Sequence, residues 1–163
     1  MRKLTTILRL TFAVFLGSVG TSASADIQKG TAAYDSGDYA TVLREWTPLA
    51  NQGDVVAQYI LGQMYRKGKG ALKNYETAAM WYSLAAEQGY AKAQGNLGAM
   101  YVFGAGVPKD YLYAHMWGNI ASTIGNKLGA KVRDIAVTKM NPADLSAAKK
   151  LARECVRKKY KGC

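Results

Sequence analysis

Apolar positions along this chain recur at helical spacing, and over its central stretch one helical pattern is written twice. Sliding the sequence by 36 residues superposes Ala57 on Ala93, Leu61 on Leu97, Gly62 on Gly98 and Tyr65 on Tyr101. The match continues with Gly68 on Gly104, Gly70 on Gly106, Ala78 on Ala114, Trp81 on Trp117, Ala85 on Ala121 and Gly89 on Gly125. Between residues 57–92 and 93–128, 15 of 36 positions are identical. They are mostly small or aromatic, as expected where helix pairs stack on copies of themselves. Helix A of the first full unit is predicted from about Asp54 to Lys67, with Ala57, Leu61, Met64, Tyr65 and Gly68 on its buried face. Helix B is predicted from Tyr75 to about Gln88, packed through Ala78, Met80, Trp81 and Ala85 and ending at Gly89. A glycine inside a helix costs ~1 kcal/mol relative to alanine. The return of Gly62 at Gly98 therefore predicts that helix B comes too close there for a side chain.

Asp38, Asn74 and Asp110 stand at the same period, and each precedes a tyrosine. All three are good N-cap residues, whose side-chain oxygen takes an orphan backbone N–H of the first turn. They predict a third, partial unit upstream: one helix from Asp26 to Ser36, ended at Gly37, and a second from Tyr39 to about Asn51. Downstream, Asn126 keeps a helix start, but Arg133, Asp134 and Val137 stand where Leu, Gly and Tyr recur. Asn141-Pro142-Ala143-Asp144 opens the last helix with a capping residue, a proline suited to the first position and an acid in the first turn. Leu145, Ala148, Leu151, Ala152 and Cys155 form its apolar stripe.

The run Ala-x-x-x-Leu-Gly-x-x-Tyr-x-x-Gly-x-Gly, with Ala-x-x-Trp-Tyr and Ala85-Ala86-Glu87-Gln88-Gly89 after it, resembles the Sel-one-like repeat. This family is related to the tetratricopeptide repeat but carries a longer, glycine-bearing loop between its helices. The resemblance covers roughly Asp38 to Gly129. It implies an all-α, right-handed α/α superhelical repeat solenoid whose A helices line the concave surface. It also implies scaffold, adaptor or regulator roles, including modulation of envelope signalling and host contact. The first unit lacks the Gly-x-Gly loop and the last lacks the signature, as terminal capping repeats do.

Charge changes the picture at the C-terminus. From Asp26 to Gly125 eight Lys/Arg balance eight Asp/Glu, whereas Asn126 to Cys163 holds eleven Lys/Arg against three acids. Lys149, Lys150, Arg153 and Arg157 crowd the polar face of the last helix. At the other end, Arg2, Lys3 and Arg9 precede an apolar core from Leu10 to Val19, and Ala23-Ser24-Ala25 supplies a small-x-small cleavage signal. The core is far short of the ~20 residues that span a bilayer. Three parts are thus expected: a signal peptide over 1–25, repeats over 26–125, and basic capping helices over 126–163. The mature chain is expected to be exported to a bacterial periplasm or beyond, without a transmembrane segment, and to act as a monomer. Nucleic acid is not an expected partner outside the cytoplasm.

Catalytic chemistry finds little support. Ser146-Ala147-Ala148-Lys149 matches a Ser-x-x-Lys box, but the further motifs of that mechanism are missing. Gly62 to Gly70 has the wrong spacing for a phosphate loop, and Gly70 stands where a Ser or Thr holds magnesium. A closed zinc site needs four ligands, and the chain has one His and two Cys, so neither metal nor cofactor is expected. His115 is expected on a helix B, polar and partly exposed. Cys155 and Cys163 lie about 12 Å apart on a straight helix, against the ~7 Å a disulfide tolerates. They pair only if the helix stops near Lys159 and the chain folds back through Gly162, and the sequence leaves this open.

The reading is a non-enzymatic module holding a protein or peptide on its concave face. Counting from Gly62, the groove positions are Tyr59, Gln63 and Arg66; the same offsets from Gly98 give Gly95, Ala99 and Val102. These positions vary between units while their neighbours repeat, and Tyr and Arg are types enriched at binding hot spots. The alternative is an anionic surface or envelope polymer bound by the basic last helix, and a remoter one is a cell-wall hydrolase.

Overall fold

The computed structural model describes residues 20–163, with side chains from Asp26 onward. The basic start and apolar core of the expected signal peptide lie outside the described residues. Eight helices and no strand are found among the described residues: α1 (Gly20–Ser36), α2 (Tyr39–Asn51), α3 (Val55–Lys67), α4 (Tyr75–Ala86), α5 (Ala91–Phe103), α6 (Tyr111–Thr123), α7 (Lys127–Val137) and α8 (Pro142–Arg157). The first helix begins at Gly20 rather than Asp26. Each remaining expected helix is present, and α1 to α7 each stack on the one before as an α/α solenoid, while α8 packs on α6.

The caps explain the starts. Asp38 accepts the Thr41 N–H at 3.1 Å, Asn74 that of Thr77 at 2.8 Å, and Asp110 those of Leu112 and Tyr113 at 2.8 and 3.1 Å. Asn126 and Asn141 cap α7 and α8 in the same way. The paired glycines of each loop have separate duties. Gly68 and Gly104 end α3 and α5 in the left-handed conformation, which glycine enters without steric cost. Gly70 and Gly106 press on the backbone of the tyrosine that opens the preceding B helix. A Cβ at Gly70 would sit 2.7 Å from the Tyr39 carbonyl oxygen, and one at Gly106 2.1 Å from that of Tyr75.

A second periodic contact was not foreseen. Gln58 and Gln94, equivalent and buried, donate through Nε2 to the carbonyls of Ala50 and Ala86 at 3.0 and 3.1 Å. Each ties an A helix to the end of the B helix before it, as a second donor to a carbonyl that already accepts the Gly53 or Gly89 N–H of the following turn. The close approach at Gly62 is real, because a Cβ there would meet the Tyr82 ring at 2.7 Å. Position 118, equivalent to Tyr82, is glycine. The space beside Gly98 is taken instead by Val132 of α7, and the α6 backbone runs close to α7 at Gly118 and Gly129.

Three burial expectations need correction. Gly68 is exposed, because it ends the helix rather than lining its core face. Tyr65 is only half-buried. Met80 is 48% exposed, whereas Tyr82, which was not assigned to the core face, is fully buried. The physical reason for Met80 lies in α8, which packs against α6 rather than closing over α7. Met116 and Ile120 of α6 are buried in a cluster with Ala152 and Cys155 of α8. Their α4 equivalents, Met80 and Leu84, have no such helix above them and face outward.

Candidate interaction groove

The expected groove residues divide according to how far apart the A helices stand. On α3, Tyr59, Gln63 and Arg66 form one connected row. The Tyr59 ring lies 5.9 Å from that of Tyr82 and 5.1 Å from that of Tyr90, and Gln63 donates to the Tyr59 hydroxyl. Arg66 Nε donates to the Tyr82 hydroxyl at 3.3 Å. Burial pushes the Tyr82 phenol up to about 12, against the opposing pull of Arg66. The neutral phenol is therefore a durable anchor for the arginine.

On α5 two of the three equivalent positions, Gly95 and Val102, are not available. Val102 is 5% exposed, packed with Ala114, Val132 and Ala136, so its assignment to a binding face is corrected. Gly95 is buried against Asn126 and Gly129 at the start of α7. The difference arises because α5 and α7 touch along their length, whereas α3 and α5 are not in close helix contact. Tyr59 fills the wide junction near its start, and Gly95 admits the narrow one. Packing, then, decides part of the variation that suggested ligand contact.

At the wide junction a cleft of about 240 Å³ remains, lined by Arg66, Tyr75, Asn96, Ala99, Phe103 and their neighbours. Phe103 is 74% exposed at its edge. Of the expected residues, Arg66 and Ala99 meet here. Phe103, Tyr75 and Asn96 were missed. The available signal was at Phe103, an aromatic where the preceding unit has Lys67.

The basic residues Lys149, Lys150, Arg153 and Arg157 are all exposed on α8, away from the cleft. Below them, Cys155 and Cys163 are joined, with Cα atoms 5.5 Å apart. The helix ends at Arg157, and Lys159, Tyr160 and Gly162 turn the chain back with φ of 53°, 67° and 62°. The returning tail lays Tyr160 on Gly89, where a Cβ would meet its ring at 3.0 Å.

His115 lies on a helix B as expected, but the expected partial exposure is corrected. It is 1% exposed on α6, and among the described residues its Nδ1 finds no hydrogen-bond partner. Burial foremost, then the cations Lys149 and Arg133, hold its imidazole below the ordinary value of 6.5. The folded state thus binds fewer protons than the unfolded one as pH falls below 6.5, and stability falls with it. We expect wild-type stability to drop by up to ~1.4 kcal/mol per pH unit in that window. A His115→Met variant should lose less between pH 7.5 and 5, read as urea midpoints; parallel losses would refute a neutral buried imidazole.

A family model described as "Sel1 repeat" matches residues 55–90 and again 91–126, one helix pair each. These units are Sel1 repeats. Among solved structures, the chain is similar to a protective antigen present in uropathogenic Escherichia coli strains and displaying an SLR fold. That similarity has a TM-score of 0.76 at 29% identity over 85% of this chain. A Sel1 repeat protein from Oxalobacter formigenes matches 63% of the chain with a TM-score of 0.55 and 36% identity. The chain spans 31% and 39% of those two structures. No curated protein sequence matches. The matched units end at residue 126, and α7 and α8 follow them.

Proposed function

We propose that this Sel1-repeat chain is a non-enzymatic, exported binding module that holds a protein partner across the open junction of α3 and α5. The single observation behind this is the contrast between junctions. The same period that seals α5 against α7 leaves Tyr59, Gln63, Arg66 and the cleft beyond them uncovered. A residual groove with an apolar floor and a few placed polar groups is the usual form of a peptide site. Export is supported by the basic and apolar leader pattern over 1–25 and by the Cys155–Cys163 bridge, since disulfides persist in oxidising compartments. Among the described residues no helix is long and apolar enough to cross a membrane.

A photo-crosslinking residue at Gln63 should trap a discrete partner in living cells, and one at exposed Met80 should not. Equal labelling from both positions, or none from position 63, would remove the groove from consideration. The second reading, an anionic envelope polymer on Lys149, Lys150, Arg153 and Arg157, rests on their common exposure along α8. It predicts binding that moderate salt abolishes.

A further inference from the structure

Charge on the A-helix side of the repeats is one-signed, although the repeat region as a whole is neutral. Residues 55–75 and 91–109, comprising α3, α5 and the loops after them, hold six Lys/Arg and no Asp or Glu. Asp54 and Asp110 are consumed as N-caps, and Glu76 and Glu87 belong to α4 and its end. Three of the six cations lie over tyrosine rings: Lys69 over Tyr39 at 4.5 Å, Lys73 over Tyr75 at 5.2 Å and Lys109 over Tyr111 at 5.5 Å. Arg66 differs. Tyr82 fixes it through Nε alone, and among the described residues no carboxylate lies within ion-pair distance of its guanidinium. Its two outer nitrogens form the fork that fits a carboxylate bidentately. Beside this fork lie the apolar walls of Ala99 and Met100 and the exposed ring of Phe103, with Asn96 as a further polar group.

We propose that the α3–α5 cleft receives an acidic segment of a partner protein: an Asp or Glu side chain pairs with Arg66, and an adjoining bulky apolar side chain packs on Ala99 and Phe103. This is a partner class that depends on the interaction-module reading above. The segment runs through the cleft rather than ending in it, because the row of Gln63 and Tyr59 carries the polar edge onward along α3. The surrounding lysines draw an acidic segment in without contacting it, which is how one-signed fields raise association rates.

The test is fluorescence anisotropy with a fluorescein-labelled dodecapeptide alternating glutamate with phenylalanine and leucine. Two control peptides replace every glutamate by glutamine, or every apolar residue by serine. Arg66→Gln should weaken the probe about tenfold, and Phe103→Ser about fivefold, as truncated anchors do. Arg66→Lys, which keeps charge without the fork, should fall between wild type and Arg66→Gln. Joint neutralisation of Lys149, Lys150 and Arg153 should leave affinity within about twofold, since these exposed charges stand on α8, which packs on α6 and lines no part of the cleft, and salt screens exposed charges. Phe103 is exposed, so its variant keeps the fold, and circular dichroism checks Arg66→Gln. Equal binding of the serine peptide, or an equal loss on neutralising α8, would overturn the proposal in favour of unspecific attraction to polyanions. Crosslinking from Gln63 together with an Arg66-indifferent probe would keep the groove and discard the acidic partner. Absence of crosslinks would discard the groove itself.

Discussion

Gly106→Ala should cost about 3 kcal/mol or more and lower the urea midpoint by the largest amount of any single loop substitution. Two effects add. Gly106 has φ of 72°, where a Cβ costs roughly 1–2 kcal/mol. That Cβ would also stand 2.1 Å from the Tyr75 carbonyl oxygen, so the loop must lift off α4. Forcing extra atoms into a close-packed contact adds roughly 1–3 kcal/mol. Gly125→Ala separates the terms, since its φ is 82° but nothing lies within 4 Å of the added atom. It should lose only the conformational part, about 1 kcal/mol. Equal losses in the two variants would show that the Gly-x-Gly loop does not bear on the preceding helix.

Cys163→Ser, which breaks the bridge, should cost about 2–3 kcal/mol. The bridge closes a short loop, with a sequence separation of 8, and a short loop removes correspondingly less entropy from the unfolded chain than a long one. It also holds Tyr160 on Gly89, so the amides of Lys159 to Lys161 should lose exchange protection in the variant. Cys155→Ser should be worse, because Cys155 is buried and an unpartnered hydroxyl there costs a further ~1–3 kcal/mol. Wild-type protein should shift its urea midpoint with dithiothreitol, and Cys163→Ser should not. An unchanged wild-type midpoint under reduction would mean that the tail is an ornament.

What could be read from the residues was what local chemistry and the 36-residue period decide. Asp38, Asn74, Asp110, Asn126 and Asn141 mark helix starts because capping needs only the next turn. Gly62 disclosed a close approach because a helical glycine is costly unless something fills its space. What could not be read was which helix covers a given position at the end of the array. The period makes Met80 and Met116 alike, and Arg66 and Val102 alike. The neighbours α8 and α7 make each pair different. The burial of His115 between cations of α7 and α8 belongs with these, since neither helix repeats the pattern that came before. Likewise the cleft beside Phe103 is a gap between α3 and α5, and a gap has no residue of its own to announce it.

The loop glycine resting on a tyrosine carries a consequence for how such a chain can change through descent. Every joint runs from one pair to the pair before it: Gly70 to Tyr39 and Gly106 to Tyr75, Gln58 to Ala50 and Gln94 to Ala86. A gene duplication inserting a second copy of residues 55–90 ahead of Ala91 would find every joint already cut to fit, upstream and downstream. The bridged tail reaches back only as far as Gly89, one pair, so it would ride on whichever pair comes last. Length is thus heritable in whole units, while any insertion out of step would strand a glutamine and a glycine together and be lost.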